Sequence, residues 1–388
     1  MTRTAIAPVA SFLAMGLFWG AWAALVPEVK RVVDAPDGPF GLALLAVGAG
    51  SLPAMLVAGR LWTRYGRGVL AVSIIGFGLS SLLPLGITTL PSLALVLLAV
   101  GAASGALDVA MNAELSEIEA RTGRRLMYGA HAFFSLGVLV ASFSTGFVRD
   151  AGGDRSVVLP PVAAFFALVA LIGLLTEGPG HGAIHVSAPA TTGPSTRGWI
   201  VALGVLCAGA FLMEDALQSW SALHLERTLG ASPALGGAGP GVFAVTMFLG
   251  RSSGQLLGRW LSERALVVAG SVATAIGAGI VATATSAPTA LVGFAIGGGG
   301  VSIVAPALFA RAGRLAGPAR RGAAISTLTT IGYMGFLVGP GVFGGIAGAS
   351  SLPTAFLAVS VAALVQAAAA TAILRDSALE EVGSATPA

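Results

Sequence analysis

A carboxylate and an amide stand four residues apart in a stretch that is otherwise almost entirely apolar. They are Asp108 and Asn112. Residues at positions i and i+4 lie on the same face of a helix, so these two side chains can contact one another. A carboxylate whose surroundings are alternately dry and wet can take up and release a proton, which makes Asp108 a candidate for proton coupling. The alternative interpretation is a structural hydrogen bond between helices, and Asn112 is also a candidate for substrate binding.

A second pair of acidic residues, Glu214 and Asp215, interrupts another apolar run. Neighbouring residues of a helix point about 100° apart, so only one of the two can face a given surface squarely. Gln218 shares the face of Glu214 because it lies four residues further on. We expect Glu214 to bind a substrate or a proton with Gln218 beside it, and Asp215 to pair with a neighbouring helix.

Aromatic and histidine side chains extend this set of candidates. Trp19 and Trp22 lie three residues apart in the middle of an apolar run, where they can stack on a planar or sugar-like ligand or simply pack. Tyr333 is expected to contribute polar lining to the same site. His131 can pair with Asp108 and relay its proton, and a structural, hydrogen-bonded histidine is the open alternative.

Three arginines are candidates for gating residues. Arg251 lies within an apolar run, where it can pair with an acid to latch two parts of the chain, extend to the lipid surface or bind an anion. Arg64 and Arg259 follow two apolar runs at corresponding positions. We expect all three arginines to act in gating.

The composition predicts which elements position these side chains. Of the 388 residues, 55% are hydrophobic and only 10% are charged, and the mean hydropathy is +0.89. Soluble domains carry roughly 25% charged residues. The net charge of +4 comes from basic residues scattered through short loops, which excludes a nucleic-acid-binding patch. Cys207 is the only cysteine, which excludes an intrachain disulfide and a cysteine-based metal site. The sequence predicts an all-α polytopic membrane protein without a cofactor.

The lengths of the apolar runs predict helices. A membrane-spanning helix needs about 20 apolar residues. A β-barrel would show alternating segments of about ten residues, whereas these runs are continuous and about twice as long. We therefore predict twelve transmembrane helices, near residues 8–27, 39–59, 69–87, 90–112, 129–148, 157–176, 198–221, 235–257, 265–285, 289–310, 323–346 and 352–374.

Basic residues in the connections predict the orientation, because cytoplasmic loops carry an excess of Lys and Arg. With the N-terminus inside, fifteen basic residues lie in cytoplasmic connections and five lie outside, mostly beside acids. This predicts a multi-pass protein of the cell inner membrane with both termini cytoplasmic. The fifteen are Arg3, Arg60, Arg64, Arg67, Arg121, Arg124, Arg125, Arg197, Arg259, Arg264, Arg311, Arg314, Arg320, Arg321 and Arg375, and the five are Lys30, Arg31, Arg149, Arg155 and Arg227.

A polar stretch rich in Gly, Pro, Ser and Thr separates the sixth and seventh predicted helices, and it is typical of a flexible linker. His181 and His185 lie in it with a single acid, Glu177, and no cysteine, so no metal site is expected there. The predicted regions are a six-helix bundle at 1–176, a cytoplasmic linker at 177–197, a second six-helix bundle at 198–376 and a cytoplasmic tail at 377–388.

The two predicted bundles repeat one another at an offset of 195 residues. The segment Gly59-Arg-Leu61-Trp-Thr-Arg64 falls on Gly254-Gln-Leu256-Leu-Gly-Arg259, and Gly137 falls on Gly332. Self-similarity at half the chain length indicates a duplicated six-helix unit. Because six is an even number, both copies keep the same orientation, which predicts pseudo-symmetric halves about an axis along the membrane normal.

The connection after the second helix resembles the signature of the major facilitator superfamily, Gly-x-Leu-x-Asp-Arg-x-Gly-Arg. The resemblance spans the whole chain and implies a secondary transporter that works by alternating access, binds a small molecule and acts as a monomer. The Asp of this signature is absent here, and in the family it contributes to a salt bridge that closes the cytoplasmic side. The matching residues are Gly59, Leu61, Arg64, Gly66 and Arg67, and Thr63 stands in place of the acid.

Two further resemblances leave the direction of transport open. The spacing of Asp108 and Asn112 is similar to the acid-x-x-x-Asn pattern of fucose-permease-like bacterial carriers, although the acid of their first helix is absent here. Gly339-Pro340-Gly341 is similar to the Gly-Pro motif of drug/proton antiporters, which belongs in their fifth helix rather than the eleventh. We predict a proton-coupled solute carrier, with a proton/drug efflux antiporter as the alternative.

Other classes of membrane protein fit the sequence less well. It contains no Gly-x4-Gly-Lys-Ser/Thr segment, no His-Glu-x-x-His segment and no polar region large enough to bind a nucleotide, which argues against an ATP-driven pump or an enzyme. A receptor or a channel is the alternative from a different class, but neither would require two parallel six-helix halves. The expected partners are a small-molecule substrate, protons and the lipid bilayer.

Overall fold

The computed structural model describes residues 3–124, 126–176 and 194–374, and within them twelve helices are long and apolar enough to span a membrane. The predicted fold class and the predicted number of spans are confirmed. The linker residues 177–193, with His181 and His185, and the tail from Arg375 onward lie outside the described residues. The helices are α1 (Ile6–Val33), α2 (Asp37–Tyr65), α3 (Arg67–Gly86), α4 (Leu90–Thr122), α5 (Gly129–Asp150), α6 (Arg155–Thr176), α7 (Gly198–Ser219), α8 (Pro233–Ser253), α9 (Glu263–Thr283), α10 (Ala287–Ala316), α11 (Arg320–Ala349) and α12 (Leu352–Ile373).

Helix α4 extends about three turns beyond its predicted end at Asn112 and stops at Thr122. Backbone hydrogen bonds hold the polar extension as well as the apolar part, so hydropathy alone underestimates its length. The acids of the extension also find partners. Arg67 pairs with Glu114 at 2.9 Å, Trp62 Nε1 donates to Glu117 at 3.0 Å, and the backbone N–H groups of Leu126 and Met127 donate to Glu119.

Helix α1 runs through Pro27, which was the predicted end of the first span, and stops at Val33. Two charged residues that follow the proline, Glu28 and Lys30, are buried and paired, so the helix does not need to end where its apolar run ends. Glu28 lies 3.5 Å from Arg155, and Lys30 lies 2.9 Å from Asp37.

Helical geometry continues without a break from Ala287 to Ala349, across both α10 and α11. A straight helix would separate Gly297 from Gly335 by about 57 Å. Both glycines nevertheless pack on α7, Gly297 against Leu217 and Gly335 against Ala208, which are only about 14 Å apart along that helix. The chain therefore reverses direction between α10 and α11.

The described residues form two compact units. Unit 1 comprises those of Met1–Val186, Gln218–Val245 and Pro340–Leu352, and unit 2 those of Ser187–Leu217, Thr246–Gly339 and Pro353–Ala388. Unit 1 thus includes one end of α7, α8 and α11 in addition to the first six helices. The domain boundaries proposed from the sequence, at 176 and 198, stay a prediction.

Corresponding glycines show the internal repeat in the packing of each unit. In unit 1, a Cβ on Gly137 of α5 would lie 2.8 Å from the backbone nitrogen of Leu17 in α1. In unit 2, a Cβ on Gly332 of α11 would lie 2.9 Å from Sγ of Cys207 in α7. Small residues let membrane helices approach closely. The first and fifth helices of each half therefore pack through equivalent positions.

Candidate functional site

Asp108 and Asn112 lie on one face of α4, as their spacing predicts. The Asn112 amide donates to Oδ1 of Asp108 at 3.1 Å and to the backbone carbonyl of Asp108 at 2.8 Å. Both residues are half-buried. Within the described part of the chain, this amide is the only side chain that hydrogen-bonds the Asp108 carboxylate, and no cation pairs with it. Asp108 is therefore a carboxylate in a membrane span with no neutralising base among the described residues.

Trp19 of α1 contacts the same face of α4 through a hydrogen bond to Ser104. Its indole Nε1 donates to the Ser104 hydroxyl at 3.2 Å. Ser104, Asp108 and Asn112 follow one another at intervals of four residues, so they form one stripe along the helix. Ser104 lies outside the set of residues predicted from the sequence, although its spacing from Asp108 places it on the same helix face. An aromatic ring, a hydroxyl, a carboxylate and an amide thus share one side of unit 1.

The remaining aromatic and histidine candidates lie in separate surroundings. Trp22 is buried within unit 1. His131 lies on α5 with an exposed side chain, and its ring meets the edge of Phe12 with centroids 4.9 Å apart. Tyr333 belongs to unit 2, where its ring packs near Phe211 at 5.8 Å. The roles expected for these three residues stay predictions.

Glu214 and Arg251 form an ion pair inside unit 2, between α7 and α8. A single nitrogen of Arg251, Nη2, donates to Oε1 of Glu214 at 3.1 Å and to Oε2 at 3.4 Å. The Glu214 side chain is 11% exposed, whereas the Arg251 side chain is 45% exposed. The pair brings together two residues for which the sequence predicts different roles.

The neighbours of Glu214 on α7 have different surroundings. Asp215 directs Oδ2 toward α11, where a Cβ on Gly339 would lie 3.4 Å from it. Gln218 is half-buried and is the first residue of its helix that belongs to unit 1. Its predicted part in substrate binding stays a prediction.

In the connection between α2 and α3, the arginine that forms an ion pair is Arg67 rather than Arg64. Arg64 is exposed and lies over the ring of Tyr65, 5.2 Å from its centroid. Arg259 is also exposed, and no ion pair is observed for it within the described residues. Thr63, which replaces the acid of the signature, donates to the backbone carbonyl of Arg60 at 2.7 Å. Gating by Arg64 and Arg259 stays a prediction.

The helix ends predicted to face outward carry a set of ion pairs that the sequence does not predict. All of these residues belong to unit 1. Asp37 at the start of α2 pairs with Lys30 of α1 and with Arg227 of the α7–α8 connection, at 2.9 and 2.6 Å. Arg149 of α5 pairs with Glu226 of the same connection at 2.6 Å, and it also donates to the carbonyl of Ala24 at 2.8 Å. The sequence shows that these positions are charged, but it does not specify which acid pairs with which base.

Two glycine crossings lie beside these ion pairs, again within unit 1. A Cβ on Gly41 of α2 would lie 2.8 Å from Cα of Gly344 in α11, and a Cβ on Gly237 of α8 would lie 2.8 Å from Cα of Gly146 in α5. The two crossings join equivalent helices of the internal repeat, because α2 corresponds to α8 and α11 corresponds to α5. Pro340 takes part in the first of them through its carbonyl oxygen. The Gly-Pro segment of α11 thus has a packing role at this end.

No group of three or more His, Cys, Asp or Glu side chains that could hold a metal ion occurs among the described residues.

A family model described as Major Facilitator Superfamily matches residues 9–296. This chain belongs to the Major Facilitator Superfamily. It is therefore a membrane transporter of small solutes and not an enzyme.

Curated relatives of this superfamily member cover nearly its full length. An uncharacterised MFS-type transporter of Yersinia pestis is 37% identical over 375 residues, which is 94% of each chain. An uncharacterised transporter of Sinorhizobium fredii is 31% identical, covering 92% of this chain and 94% of that protein. The membrane protein MosC of Rhizobium meliloti is 29% identical, covering 95% of this chain and 89% of that protein.

Solved structures of similar fold agree with the assignment to the Major Facilitator Superfamily. The nucleoside transporter NupG, as its D323A mutant, gives a TM-score of 0.81 with 13% identity and covers 96% of this chain and 100% of that one. A bacterial homologue of the human lysosomal transporter Spinster, in an inward-facing and unoccupied conformation, gives a TM-score of 0.75 with 16% identity, covering 95% and 96%. At these identities the likeness concerns the fold alone.

Proposed function

We propose that this protein is a secondary active transporter of the inner membrane that moves its solute by alternating access, with proton coupling through Asp108. The observation that carries the proposal is the carboxylate of Asp108, which has an amide and no base as its described partner. An ionised carboxylate is costly in a membrane span. Protonation removes that cost, so Asp108 has a physical reason to bind a proton whenever water withdraws from it.

The contrast with Glu214 supports Asp108 as the coupling residue. Arg251 neutralises Glu214 at 3.1 Å, so Glu214 can stay ionised without a proton. Asp108 has no such compensation within the described residues. Asn112 stays hydrogen-bonded to either form of the acid, because an amide both donates and accepts. It can therefore hold the orientation of Asp108 through a cycle of protonation and release.

Alternating access requires one end of the helices to close while the other opens. The ion pairs and glycine crossings at the predicted outer end support the view that closure there is a defined, breakable contact. The basic residues at the opposite end support an orientation with both termini in the cytoplasm. We expect the protein to work as a monomer, with protons and the bilayer as its other partners.

The test uses purified full-length protein in proteoliposomes. Asp108→Asn keeps the shape and hydrogen bonding of the side chain but removes its titratable proton. We expect it to reduce solute accumulation driven by a pH gradient strongly while solute exchange continues. Asp150→Asn, the same change at an exposed position at the end of α5, is the matched control and should accumulate normally. Normal accumulation by Asp108→Asn would exclude coupling through Asp108. The sign of the response to the gradient separates uptake with protons from proton-driven efflux.

A further inference from the structure

Arg251 has hydrogen-bonding capacity that its ion pair does not use. A guanidinium carries five N–H donors in a planar fork, and it typically grips a carboxylate with two nitrogens. Arg149 and Arg227 bind their carboxylates in this way, each through both Nη1 and Nη2. Arg251 reaches Glu214 through Nη2 alone. Its Nε and Nη1 have no partner within the described residues, and its side chain is 45% exposed.

The position of this unused edge indicates access to water. Arginines within membrane spans almost always face a bundle interior or a water-filled cavity rather than lipid. Glu214 holds the guanidinium from the buried side, since only 11% of the glutamate side chain is exposed. The free edge of Arg251 therefore points away from the buried carboxylate. A group that approached it would meet two or three N–H donors in one plane.

Charge balance restricts what can bind there. Glu214 and Arg251 together are neutral, so a bound anion would leave one negative charge in a poorly hydrated site. A proton taken up by Glu214 at the same time would restore neutrality, and it would release Nη2 to the anion. Anion binding and protonation of Glu214 therefore favour one another.

We propose that the solute carries a carboxylate or phosphate group that binds the free edge of Arg251, and that Glu214 takes up a proton as it binds. This proposal deepens the transport function proposed above and rests on it. Carboxylate and phosphate share the oxygen geometry that a guanidinium recognises. The pairing also explains why a base lies within α8, where a neutral solute would need none.

The other groups near Glu214 do not substitute for Arg251. On α7 itself, Cys207 lies two turns before Glu214, and Asp215 directs its carboxylate toward Gly339 of α11. From the helices packed against α7, α11 contributes Tyr333, which packs on Phe211, and α12 contributes the neutral amide of Gln366 beside Gly209. Arg251 is the base that the described contacts bring to Glu214.

The test measures ligand-induced thermal stabilisation of the purified full-length protein with matched pairs of probes. The pairs are glucuronate with glucose and benzoate with benzamide, and inorganic phosphate is added alone. We expect at least one acid to stabilise the protein and its neutral counterpart not to. The apparent affinity for the acid should weaken by up to about tenfold per pH unit between about pH 5.5 and about pH 7.5, because one proton is taken up with it.

Variants distinguish the contribution of Arg251 to acid binding from the contribution of Glu214 to its pH dependence. Arg251→Gln should lose stabilisation by the acid, and the double variant Arg251→Gln/Glu214→Gln should lose it as well while keeping the site neutral and the protein folded. Glu214→Gln should keep acid binding but lose its dependence on pH. Asp150→Asn, the exposed control at the end of α5, should keep both the binding of the acid and its dependence on pH.

The results of these assays test acid binding at Arg251 independently of proton coupling through Asp108. The proposal is overturned if no acid stabilises the wild-type protein, if neutral counterparts stabilise it equally, or if the double variant still responds to the acid. None of these results affects coupling through Asp108, which fails only when Asp108→Asn accumulates solute normally. A phosphate response without a carboxylate response, lost in both Arg251 variants, would support the proposal and assign the solute to phosphate compounds.

Discussion

Arg227 and Asp37 form a bidentate ion pair, in which Nη1 of the arginine donates to Oδ1 at 2.7 Å and Nη2 donates to Oδ2 at 2.6 Å. The pair joins the α7–α8 connection to the start of α2, two segments about 190 residues apart in the chain. Lys30 binds the same carboxylate, so Asp37 has a partner on each side. We interpret this arrangement as a latch that favours closure of the predicted outer end.

Loss of the arginine should weaken that latch. The Arg227 side chain is 43% exposed, so solvent screening limits the effect of Arg227→Ala to about 1 kcal/mol, or about a fivefold shift toward the open state. Ser221→Cys in a Cys207→Ser background places a thiol at a buried position near the latch. An impermeant maleimide should label it several-fold faster when Arg227 is absent. Arg31→Ala, at the same end and exposed, should not change the rate, and equal rates for Arg227→Ala would contradict the latch.

The ion pair between Arg149 and Glu226 should matter more for stability, because the Arg149 side chain is only 6% exposed. Breaking a buried pair by removing one partner costs about 3 kcal/mol. Glu226→Gln should therefore lower the thermal unfolding temperature clearly. The exchanged double variant Arg149→Glu/Glu226→Arg should recover part of the loss but not all of it, since Arg149 also donates to the carbonyl of Ala24. Full recovery would show that this carbonyl contact contributes nothing.

The glycine crossing between α2 and α11 gives a steric prediction. A valine at Gly41 would place its Cβ 2.5 Å from the carbonyl oxygen of Pro340, and the backbone cannot yield as a flexible side chain does. Gly41→Val should favour the open outer end and accelerate labelling of the Ser221→Cys reporter. Gly59→Val on the same helix has open space around it and serves as the control. Similar labelling rates for the two variants would exclude the crossing as a closure contact.

Arg67 should be required for the stability of the helix ends predicted to face the cytoplasm. Its partner Glu114 is fully buried, so Arg67→Gln leaves a carboxylate in the interior without this base, and we expect about 3 kcal/mol of destabilisation. Arg60→Gln, an exposed position on the neighbouring helix α2, should have little effect on thermal unfolding. The double variant Arg67→Gln/Glu114→Gln should be more stable than Arg67→Gln alone. A single variant as stable as wild type would contradict the structural role of the pair.

Much of this fold could be predicted from the sequence, because membrane spans require long apolar runs and the repeat at 195 residues is readable in its glycines. The predicted positions of Asp108 and Asn112 on one helix face also follow from spacing alone. The boundaries failed where helices continue through polar residues, as α4 does to Thr122. Hydropathy measures the transfer of side chains to lipid, whereas the end of a helix is decided by backbone hydrogen bonds and by caps such as Gly123, whose φ is 67°.

The pairing of charged residues could not be predicted in the same way. Glu214 meets Arg251 across two helices, and Asp37 meets a base 190 residues away, so each contact depends on tertiary packing rather than on local spacing. The sequence identified these groups as unusual because charge in a span is costly. Only the structure shows that Glu214 pairs with a base while Asp108 has none among the described residues, and this difference separates their proposed roles.

Solute-driven proton movement tests the central claim most directly. Proteoliposomes containing a pH-sensitive dye, held at zero membrane potential, receive a solute that stabilises the purified protein in thermal-shift assays. For the wild-type protein we expect the internal pH to change when the solute is added. For Asp108→Asn we expect solute exchange to continue while the change in internal pH becomes clearly smaller than in the wild-type protein. Asp150→Asn should behave as wild type. Undiminished proton movement through Asp108→Asn would contradict the account.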